Sequence, residues 1–468
     1  MTRQAALDAA ARHYDDGAFL AELDRRVAFR TESQETDRAG PLRAYLDDDI
    51  VPALAGLGFT SRILANPVDG FGPFLLGERI EDPALPTVLT YGHGDVVRGY
   101  DAQWRQGLSP WSVVVDGDRL YGRGTADNKG QHTINLAALA QVLAARGGRL
   151  GFNVKIILEM GEETGSPGLA AIARTHRDEL AADLLIASDG PRLAADRPTI
   201  FLGSRGCFNF DLTVNLRDGG HHSGNWGGLL RNPGTVLVNA IASMVDGQGR
   251  ILIDALRPPP IANAVRAALA DIEVGGGPGD PDVDRDWGEG GLTPTERVFA
   301  WNALEVLAYR TGNPDAPVNA IPPRASAHCQ LRFVVGCNPE NFVAAIRAHL
   351  DAHGFGMVDV APARIETMNA TRLDPEDPWV GWALASLART TGKKPALLPN
   401  LGGSLPNDVF ADILGLPTIW VPHSYPACSQ HAPNEHLLGS VAREALQIMA
   451  GLFWDLGEDG QAIRRARA

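Results

Sequence analysis

Cysteine, long apolar runs and an excess of basic charge are all scarce or missing in this sequence. Its four cysteines are scattered without Cys-x-x-Cys spacing (Cys207, Cys329, Cys337 and Cys428). This pattern excludes a disulfide framework and a thiolate zinc site, and it indicates reduced thiols in a cytoplasmic protein. No uninterrupted apolar run approaches ~20 residues, so we expect no membrane-spanning segment. The polar segment after Met1 also has no apolar core like that of a signal peptide.

The charge balance is acidic, with 56 Asp and Glu residues against 42 Lys and Arg residues and a formal net charge of −14. Binding to nucleic acid needs basic surface, so we do not expect nucleic acid as a partner. The hydrophobic share of 44% and the charged share of 21% are those of an ordinary globular protein. A chain of 468 residues is too long for one ordinary core, which predicts two domains.

Helical patterns fill residues 1–60. From there to about residue 203, and again after residue 377, apolar strand patterns and helical patterns alternate. Strands are predicted at 74–77, 86–91, 154–159, 183–188 and 416–421, with helices at 131–146, 167–179 and 379–391. Buried strands that alternate with helices predict an α/β fold, in which helices cover both faces of a largely parallel sheet.

The pattern changes between these two regions. Residues 205–216 and 325–335 alternate strictly, as half-exposed antiparallel strands do, and residues 339–353 form an amphipathic helical pattern. Residues 275–292 are rich in Gly, Pro and Asp and predict a surface loop. The simplest interpretation is one α/β domain formed by residues 1–203 and 373–468, interrupted by an inserted α+β domain at residues 204–372.

A glycine-rich stretch, LYGRGTADNKGQH (120–132), follows a predicted hairpin and leads into the helix that begins near Gln131. It presents one carboxylate, Asp127, on a turn before the helix. A carboxylate in this place is either a helix cap or a metal ligand. Taken alone, the stretch favours the cap.

Side chains that bind metals follow the other predicted buried strands. His93 and Asp95 follow one strand, Glu162 and Glu163 the next, Asp189 a third, and His423 and His431 a fourth. The carboxyl ends of strands in an open α/β sheet are where sites form. Histidine and carboxylate ligands without cysteine suit zinc, cobalt or manganese. The chain therefore favours Asp127 as a ligand.

The number of candidate ligands fits two metal ions. Two histidines and three carboxylates, with Asp127 shared, complete two sites and leave room for a bridging water. Glu162 is then free to act on that water. Asp95 lies two residues from His93 on extended backbone, so it can accept the second imidazole N–H and fix the tautomer.

Six motifs in order carry a family resemblance across residues 15–460: HGD (93–95), LYGRGTADNKG (120–130), EMGEETGS (159–166), SDG (188–190), HHSGNWGG (221–228) and HAPNE (431–435). The set resembles the di-zinc amidohydrolases of the acetylornithine deacetylase, succinyl-diaminopimelate desuccinylase and glutamate carboxypeptidase family. It is most similar to the carnosinase-type dipeptidase branch. The resemblance implies a catalytic di-metal domain and an inserted lid and dimerisation domain.

The resemblance also implies a role for each matching residue. Asp127 corresponds to the metal-bridging aspartate, usually followed by a cis peptide bond. The remaining ligands of one zinc would be His93 and Asp189, and those of the other would be Glu163 and His431. The general base would be Glu162, and Asp95 would be the carboxylate behind His93.

Residues outside the metal set are matched in the same way. By resemblance, the inserted domain forms a homodimer in which His222 reaches the partner's active site and polarises the scissile carbonyl. Arg332 resembles an arginine that grips the substrate carboxylate, and Gly403 and Ser404 resemble a loop that does the same. Asn319 matches a polar residue donated near the oxyanion.

The function implied is metal-dependent hydrolysis of an amide bond in a small carboxylate-bearing substrate, such as a dipeptide. An N-acyl amino acid deacylase or a carbamoyl-type amidase would use the same metal centre and is the alternative. The chain departs from the family at Asn128, where a second aspartate is common, and at Gly190, where dipeptidases often carry a side chain. We expect Glu435 to support His431. A non-enzymatic relative is disfavoured, because no metal ligand is lost.

Overall fold

A computed structural model gives the fold and describes residues 2–276, 281–363 and 367–467. In chain order its strands are β1 (Thr60–Leu64), β2 (Phe74–Arg79), β3 (Thr87–His93), β4 (Val114–Asp116), β5 (Arg119–Tyr121), β6 (Asn153–Glu159), β7 (Leu184–Ala187), β8 (Thr199–Phe201), β9 (Gly206–Asn215), β10 (His221–His222), β11 (Ala303–Thr311), β12 (Ala320–Ile321), β13 (Arg324–Phe333), β14 (Asp359–Pro362), β15 (Ala396–Leu398), β16 (Thr418–Trp420) and β17 (His436–Leu438).

The α-helices in the same residues are α1 (Arg3–Asp15), α2 (Ala18–Val27), α3 (Ala39–Ala44), α4 (Val51–Gly56), α5 (Lys129–Ala145), α6 (Leu169–Thr175), α7 (Arg177–Leu180), α8 (Ser223–Trp226), α9 (Pro233–Met244), α10 (Asn263–Leu269), α11 (Pro294–Phe299), α12 (Phe342–Ala352), α13 (Pro378–Thr391) and α14 (Gly439–Arg467). Two π-helical segments lie at Tyr45–Ile50 and Val409–Ile413, and 3₁₀ turns lie at Asp101–Gln103, Glu162–Thr164, Asp254–Leu256 and Pro339–Asn341. No helix in this part of the chain is long and apolar enough to cross a membrane.

The largest sheet has eight strands in the order β1-β2-β6-β3-β7-β16-β8-β15. Parallel pairing joins β6 to β3, β3 to β7, β7 to β16 and β8 to β15. Antiparallel pairing occurs at the β1-β2-β6 edge and between β16 and β8. The sheet is therefore mixed, with its parallel strands at the centre, and the predicted α/β class is confirmed.

Both faces of this sheet are covered, as the continuous apolar strands predict. Ile156 and Leu158 of β6 belong to one hydrophobic core, whereas Ile157 between them belongs to a second core on the opposite face. Helices α5 and α14 pack together over the first face. Successive side chains along a strand therefore point to opposite faces of the sheet, and each face has its own hydrophobic core.

A second sheet, with the order β11-β13-β9-β14, is antiparallel throughout. Helices α9 and α12 cover one face, where Phe210, Leu237 and Ile346 are fully buried. The outer strand β11 keeps most of its residues exposed. This sheet lies within the predicted insertion, and the domain limits at 204 and 372 stay a prediction.

The helix expected at 167–179 is two short helices, because His176 leaves the helical conformation with φ −108° and ψ 24°. The loop expected at 275–292 has no helix or strand in residues 275–276 and 281–292, and its residues 277–280 lie outside the described part of the chain. The other strand and helix predictions agree with the structure to within a few residues.

Candidate metal centre

The turn that carries Asp127 joins β5 to α5. Gly124 has φ +87°, a conformation that glycine adopts without strain. Gly130 lies against the carbonyl oxygen of Thr125, which a Cβ there would approach to 1.9 Å. The Asp127–Asn128 peptide bond is cis. The start of α5 has no side-chain cap, and the Asp127 carboxylate contacts histidines instead. The geometry therefore favours the ligand over the cap.

Glu435 holds this turn in place. Its Oε1 accepts hydrogen bonds from the backbone N–H groups of Gly124, Ala126 and Asp127 at 3.0–3.1 Å. Its Oε2 accepts a hydrogen bond of 2.6 Å from the Arg123 guanidinium. The expectation that Glu435 supports His431 is wrong, because this buried carboxylate binds the turn rather than the imidazole. Strand β17, which begins at the next residue, pairs with β5 and so brings the 431–435 motif to the turn.

His93, Asp127 and Asp189 form the first ligand group, and all three are buried. His93 lies at the end of β3, and its Nε2 is 3.0 Å from Asp127 Oδ1 and 3.5 Å from Asp189 Oδ2. Asp189 follows β7, the neighbour of β3 in the sheet. Adjacent parallel strands thus place the imidazole and the second carboxylate side by side.

Asp127, Glu163 and His431 form the second group. His431 Nε2 is 3.0 Å from Asp127 Oδ2 and 3.1 Å from Glu163 Oε2. His431 has φ +61°, so the loop after β16 adopts an unusual backbone conformation where it presents the ring. The two oxygens of Asp127 thus face different groups.

The donor atoms fit two metal ions. Ligands about 2.0–2.1 Å from a tetrahedral zinc ion are separated from one another by roughly 3.3 Å. The separations from each histidine nitrogen to its carboxylate oxygens, 3.0–3.5 Å, match that spacing. A carboxylate shared between two such groups is the arrangement of a paired metal site.

Asp95 connects two of the strand-end loops. His93 Nδ1 lies 3.4 Å from Asp95 Oδ1 and 3.1 Å from the Asp95 carbonyl oxygen. The two carboxylate oxygens of Asp95 also accept the N–H groups of Glu162 and Glu163, at 3.2 and 3.1 Å. One buried side chain therefore orients the His93 ring and fixes the neighbouring loop.

The clustered charges shift the pKa values of the metal-free site. Burial, followed by the charge of Asp127, raises the pKa of Glu163 to about 7. Burial also raises the pKa of Glu162 well above its ordinary value. Hydrogen bonds to Asp127 and Glu163 raise the pKa of His431 to about 11. For Asp127, burial acts in the opposite direction, but hydrogen bonds from the two histidines lower its pKa. Glu163 and His431 thus hold protons that a bound metal ion would displace, whereas Asp127 stays ionised.

A cavity of about 1130 Å³ opens beside these ligands. Asp127, Glu162, Asp189 and His431 line it, together with the predicted substrate-binding residues Arg332, Gly403 and Ser404. Arg332 Nη1 donates to Ser404 Oγ at 2.7 Å, which joins the two sheets across the cavity wall. The structure therefore brings these residues to the candidate metal centre.

Gly190 lies in the same cavity and has φ +66°. A Cβ at this position would come within 3.1 Å of Leu401 Cδ2. The absence of a side chain therefore keeps the cavity wider next to Asp189.

His222 and Asn319 lie elsewhere, and neither lines this cavity. Strand β10 pairs with β12 on the surface, and the Asn319 carbonyl accepts the N–H of Ser223 at 2.9 Å. Both predicted residues are exposed, and the short ribbon places them next to each other.

Sequence reasoning noted Asn128 only as a departure from the family, without a structural role, and it missed Gln430. Asn128 Nδ2 donates to the Ser188 carbonyl at 2.8 Å, which ties the Asp127 turn to the loop of Asp189. Gln430 lines the cavity, and its amide donates to Asp127 Oδ2. Asn128 follows Asp127 in the sequence, and Gln430 precedes His431. This position next to a predicted metal ligand was the only indication that the sequence offered.

Known proteins are similar to this chain both in sequence and in structure. The model of peptidase family M20/M25/M40 matches residues 89–455. The chain therefore belongs to this family of peptidases. This result confirms the family that the six motifs indicated.

The mouse Beta-Ala-His dipeptidase is 34% identical over 207 residues, which are 43% of this chain and 42% of that enzyme. The chain thus spans about two fifths of the length of this curated relative. The solved structure of the dipeptidase Dug1p from Saccharomyces cerevisiae is 21% identical, has a TM-score of 0.79, and matches 98% of this chain and 99% of that one. Human carnosine dipeptidase 1 is also 21% identical, with a TM-score of 0.75 and coverage of 97% and 99%.

Proposed function

We propose that this chain is a di-metal dipeptidase that hydrolyses the amide bond of a small carboxylate-bearing substrate. The observation that carries the proposal is the Asp127 carboxylate, whose two oxygens face two separate histidine and carboxylate groups at the edge of a cavity. The names of its relatives support the substrate class, since the mouse relative is a Beta-Ala-His dipeptidase and the solved yeast structure is a dipeptidase.

Two divalent ions would occupy the centre, and zinc is the first candidate, with cobalt or manganese as alternatives. His93, Asp127 and Asp189 would hold one ion, and Asp127, Glu163 and His431 would hold the other. When bound, such ions polarise a carbonyl group and lower the pKa of water. Asp95 would keep the His93 ring in the orientation that the ligand role requires.

Glu162 is the proposed general base. It lines the cavity, and it makes no ion pair within 4.0 Å among residues 2–276, 281–363 and 367–467. Its carboxylate would take a proton from the attacking water and pass it to the leaving amine. The raised pKa of Glu162 suits a group that must both accept and release a proton.

The substrate carboxylate would bind at Arg332, Gly403 and Ser404. A guanidinium with free donors and a backbone loop beside it form a natural carboxylate site. Arg332 already donates to Gln330 and Ser404, and both of these acceptors are uncharged. The cationic side chain is therefore available to an anionic ligand.

A homodimer is the proposed assembly, with His222 and Asn319 of one subunit completing the site of the other. The exposed position of the β10–β12 ribbon supports this arrangement. Large apolar side chains near the ribbon are exposed, with Leu229 at 76%, Val318 at 77% and Trp226 at 46%. Exposed apolar side chains that are grouped on one part of the surface are typical of a face that packs against a partner.

The second candidate is an N-acyl amino acid deacylase or a carbamoyl-type amidase. Gly190 favours it, because the missing side chain widens the cavity where a dipeptidase often carries one. The cytoplasm is the proposed location, since all four cysteines are free thiols.

A substrate panel tests the function. We expect the protein loaded with zinc, cobalt or manganese to hydrolyse dipeptides faster than N-acyl or N-carbamoyl amino acids, and chelation to abolish turnover. Faster turnover of N-acyl or N-carbamoyl amino acids would favour the second candidate. No hydrolysis of any substrate with any of the three metals would contradict the proposed function.

A further inference from the structure

A second guanidinium lies beside Arg332, at the point where the chain enters the four-stranded sheet. Arg205 immediately precedes β9, and Gly206 pairs with Phe333, the neighbour of Arg332. Arg205 is partly buried. Burial, with the charge of Arg332 as the next cause, lowers the pKa of Arg205 to about 10. Two positive charges therefore lie close together in one wall of the molecule.

Arg205 also holds the loop that contains the predicted substrate-binding residues. Its backbone N–H donates to the Leu401 carbonyl at 3.1 Å, and its Nε donates to the Gly402 carbonyl at 2.7 Å. The Ser404 hydroxyl donates to the Arg205 carbonyl at 2.6 Å. The same hydroxyl then has a lone pair for the hydrogen bond from Arg332. Arg205 thus fixes both the loop and the direction of the Ser404 hydroxyl.

Neither guanidinium is neutralised by the protein. In the described ranges 2–276, 281–363 and 367–467, no carboxylate lies within 4.0 Å of Arg205 or Arg332. Glu305 acts on Arg205 only at longer range. Their hydrogen-bond acceptors are a carbonyl, an amide oxygen and a hydroxyl. Adjacent, partly buried cations with only neutral partners are unfavourable until an anion joins them.

We propose that Arg205 is a positioning residue for the substrate carboxylate, which it serves by holding the 401–404 loop and by adding a second positive charge behind Arg332. The inference rests on the proposed function for the identity of the substrate. It implies that the enzyme distinguishes a peptide with a free carboxylate from the same peptide with an amidated end.

The test compares alanyl-alanine with alanyl-alaninamide. Arg205→Met keeps an unbranched, flexible side chain but removes the charge and the donors, and Arg205→Lys keeps the charge. Arg324→Met is the matched control, since Arg324 is an exposed residue at the opposite end of β13. Metal content and thermal unfolding of each variant show whether the fold is retained.

Loss of a hydrogen-bonded charge weakens binding by about 10- to 100-fold. We expect Arg205→Met to raise the KM for alanyl-alanine by roughly this factor, with kcat changed by less than about threefold, since the contact binds ground state and transition state alike. Turnover of alanyl-alaninamide should stay the same. Arg205→Lys should recover most of the preference for the free carboxylate, and Arg324→Met should match the unsubstituted protein.

An equal loss on both substrates would overturn the inference, because a purely structural role lowers both. Unchanged kinetics for alanyl-alanine would also overturn it. If the unsubstituted protein hydrolyses neither compound nor any other substrate of the panel, the proposed function fails by itself. In that case, calorimetric titration of the metal-free protein with alanyl-alanine still tests Arg205: weaker binding by Arg205→Met supports the inference, and equal binding contradicts it.

Discussion

Glu162 and Glu163 are neighbours in the chain but meet different surroundings. Glu163 Oε2 lies 3.1 Å from His431 Nε2 in one ligand group, whereas Glu162 faces the cavity. Both backbone N–H groups are held by Asp95, so the two side chains diverge from a fixed 3₁₀ turn. Identical side chains can therefore take separate roles, one in metal binding and one in proton transfer.

Replacement of Glu162 by Gln tests this separation. We expect the variant to bind two metal ions per chain and to lose about 10²–10⁴-fold in turnover, because general-base catalysis typically contributes that much. Metal analysis and steady-state kinetics provide the measurement. Glu163→Gln is the matched control, and it should lower the metal content. A Glu162→Gln variant that keeps more than about a tenth of the turnover would show that another residue is the base.

The pH dependence of metal binding follows from the pKa values of the ligands. The pKa of Glu163 is about 7 and that of His431 about 11 in the metal-free site, so both hold protons below neutral pH. Metal ions bind the deprotonated forms, so binding must release protons. We expect the affinity to rise between pH 6 and pH 8 by about tenfold per pH unit for each proton displaced. Calorimetry in two buffers with different ionisation enthalpies measures that release, and an affinity independent of pH would contradict the prediction.

At the level of elements, the centre is built where strands end. Strands β3, β6 and β7 are adjacent and parallel, so His93, Glu163 and Asp189 emerge at the same edge of the sheet. The Asp127 turn reaches this edge through the small β17-β5-β4 sheet. Rigid strands and a turn held by Glu435 therefore set the distances between the ligands.

Helices from the two ends of the chain meet at Asp455 of α14. Its carboxylate accepts hydrogen bonds from Arg3 of α1 at 2.8 and 2.9 Å and from the Ser386 hydroxyl of α13 at 2.6 Å. Gly451 makes room for Arg3, because a Cβ there would lie 2.7 Å from its Nη2. The Asp455 side chain is 4% exposed. Breaking a buried ion pair that joins three helices should therefore be costly.

We expect Asp455→Asn to lower the free energy of unfolding by about 3 kcal/mol near neutral pH. Despite burial, the hydrogen bonds lower the pKa of Asp455 below its ordinary value of 3.8. The folded state therefore gains stability from this group above pH 3.8 and loses it as the pH falls through the lowered pKa. In denaturant unfolding, the difference in free energy of unfolding between the variant and the unsubstituted protein should therefore become smaller at acid pH. The exposed Asp459→Asn on the same helix is the control, and an equal effect of both changes would contradict this explanation.

At the scale of the whole molecule, the position of His222 predicts cooperation between subunits. The side chain is exposed and does not line the cavity of its own chain, so the proposed role in catalysis places it in the site of a second subunit. Loss of one donor to a developing oxyanion costs about 10²–10³-fold in kcat. We expect His222→Ala to lose turnover on this scale while its metal content stays unchanged.

A mixed dimer tests the prediction in trans. Chains with His222→Ala and chains with Glu162→Ala should each be inactive alone, but a purified heterodimer should regain one working site. That site combines the intact Glu162 of the His222→Ala chain with the intact His222 of the Glu162→Ala chain. His221→Ala, a neighbouring histidine on the same ribbon, should leave turnover unchanged. A heterodimer without activity would show that His222 does not act across the interface.

The sequence alone predicted the α/β class, the positions of most strands and the family, since each depends on local patterns. Periodicity shows which residues are buried, and the motifs carry side chains that must follow strand ends in any α/β sheet. These patterns gave a wider set of candidate side chains, and the family resemblance then selected His93, Asp127, Glu163, Asp189 and His431 as the ligands. Their roles remain predictions, but their clustering is a property of the structure.

Tertiary structure decided the partners of side chains that no local pattern reveals. Glu435 binds the turn of Asp127 rather than His431, because β17 pairs with β5 and brings residues more than 300 positions apart into contact. Arg205 and Arg332 become neighbours only through the register of β9 with β13. Hydrogen bonds and charge interactions act over a few ångströms of space, whereas the sequence records only distance along the chain. The pairing of strands that are distant in the sequence therefore determines which of these contacts form.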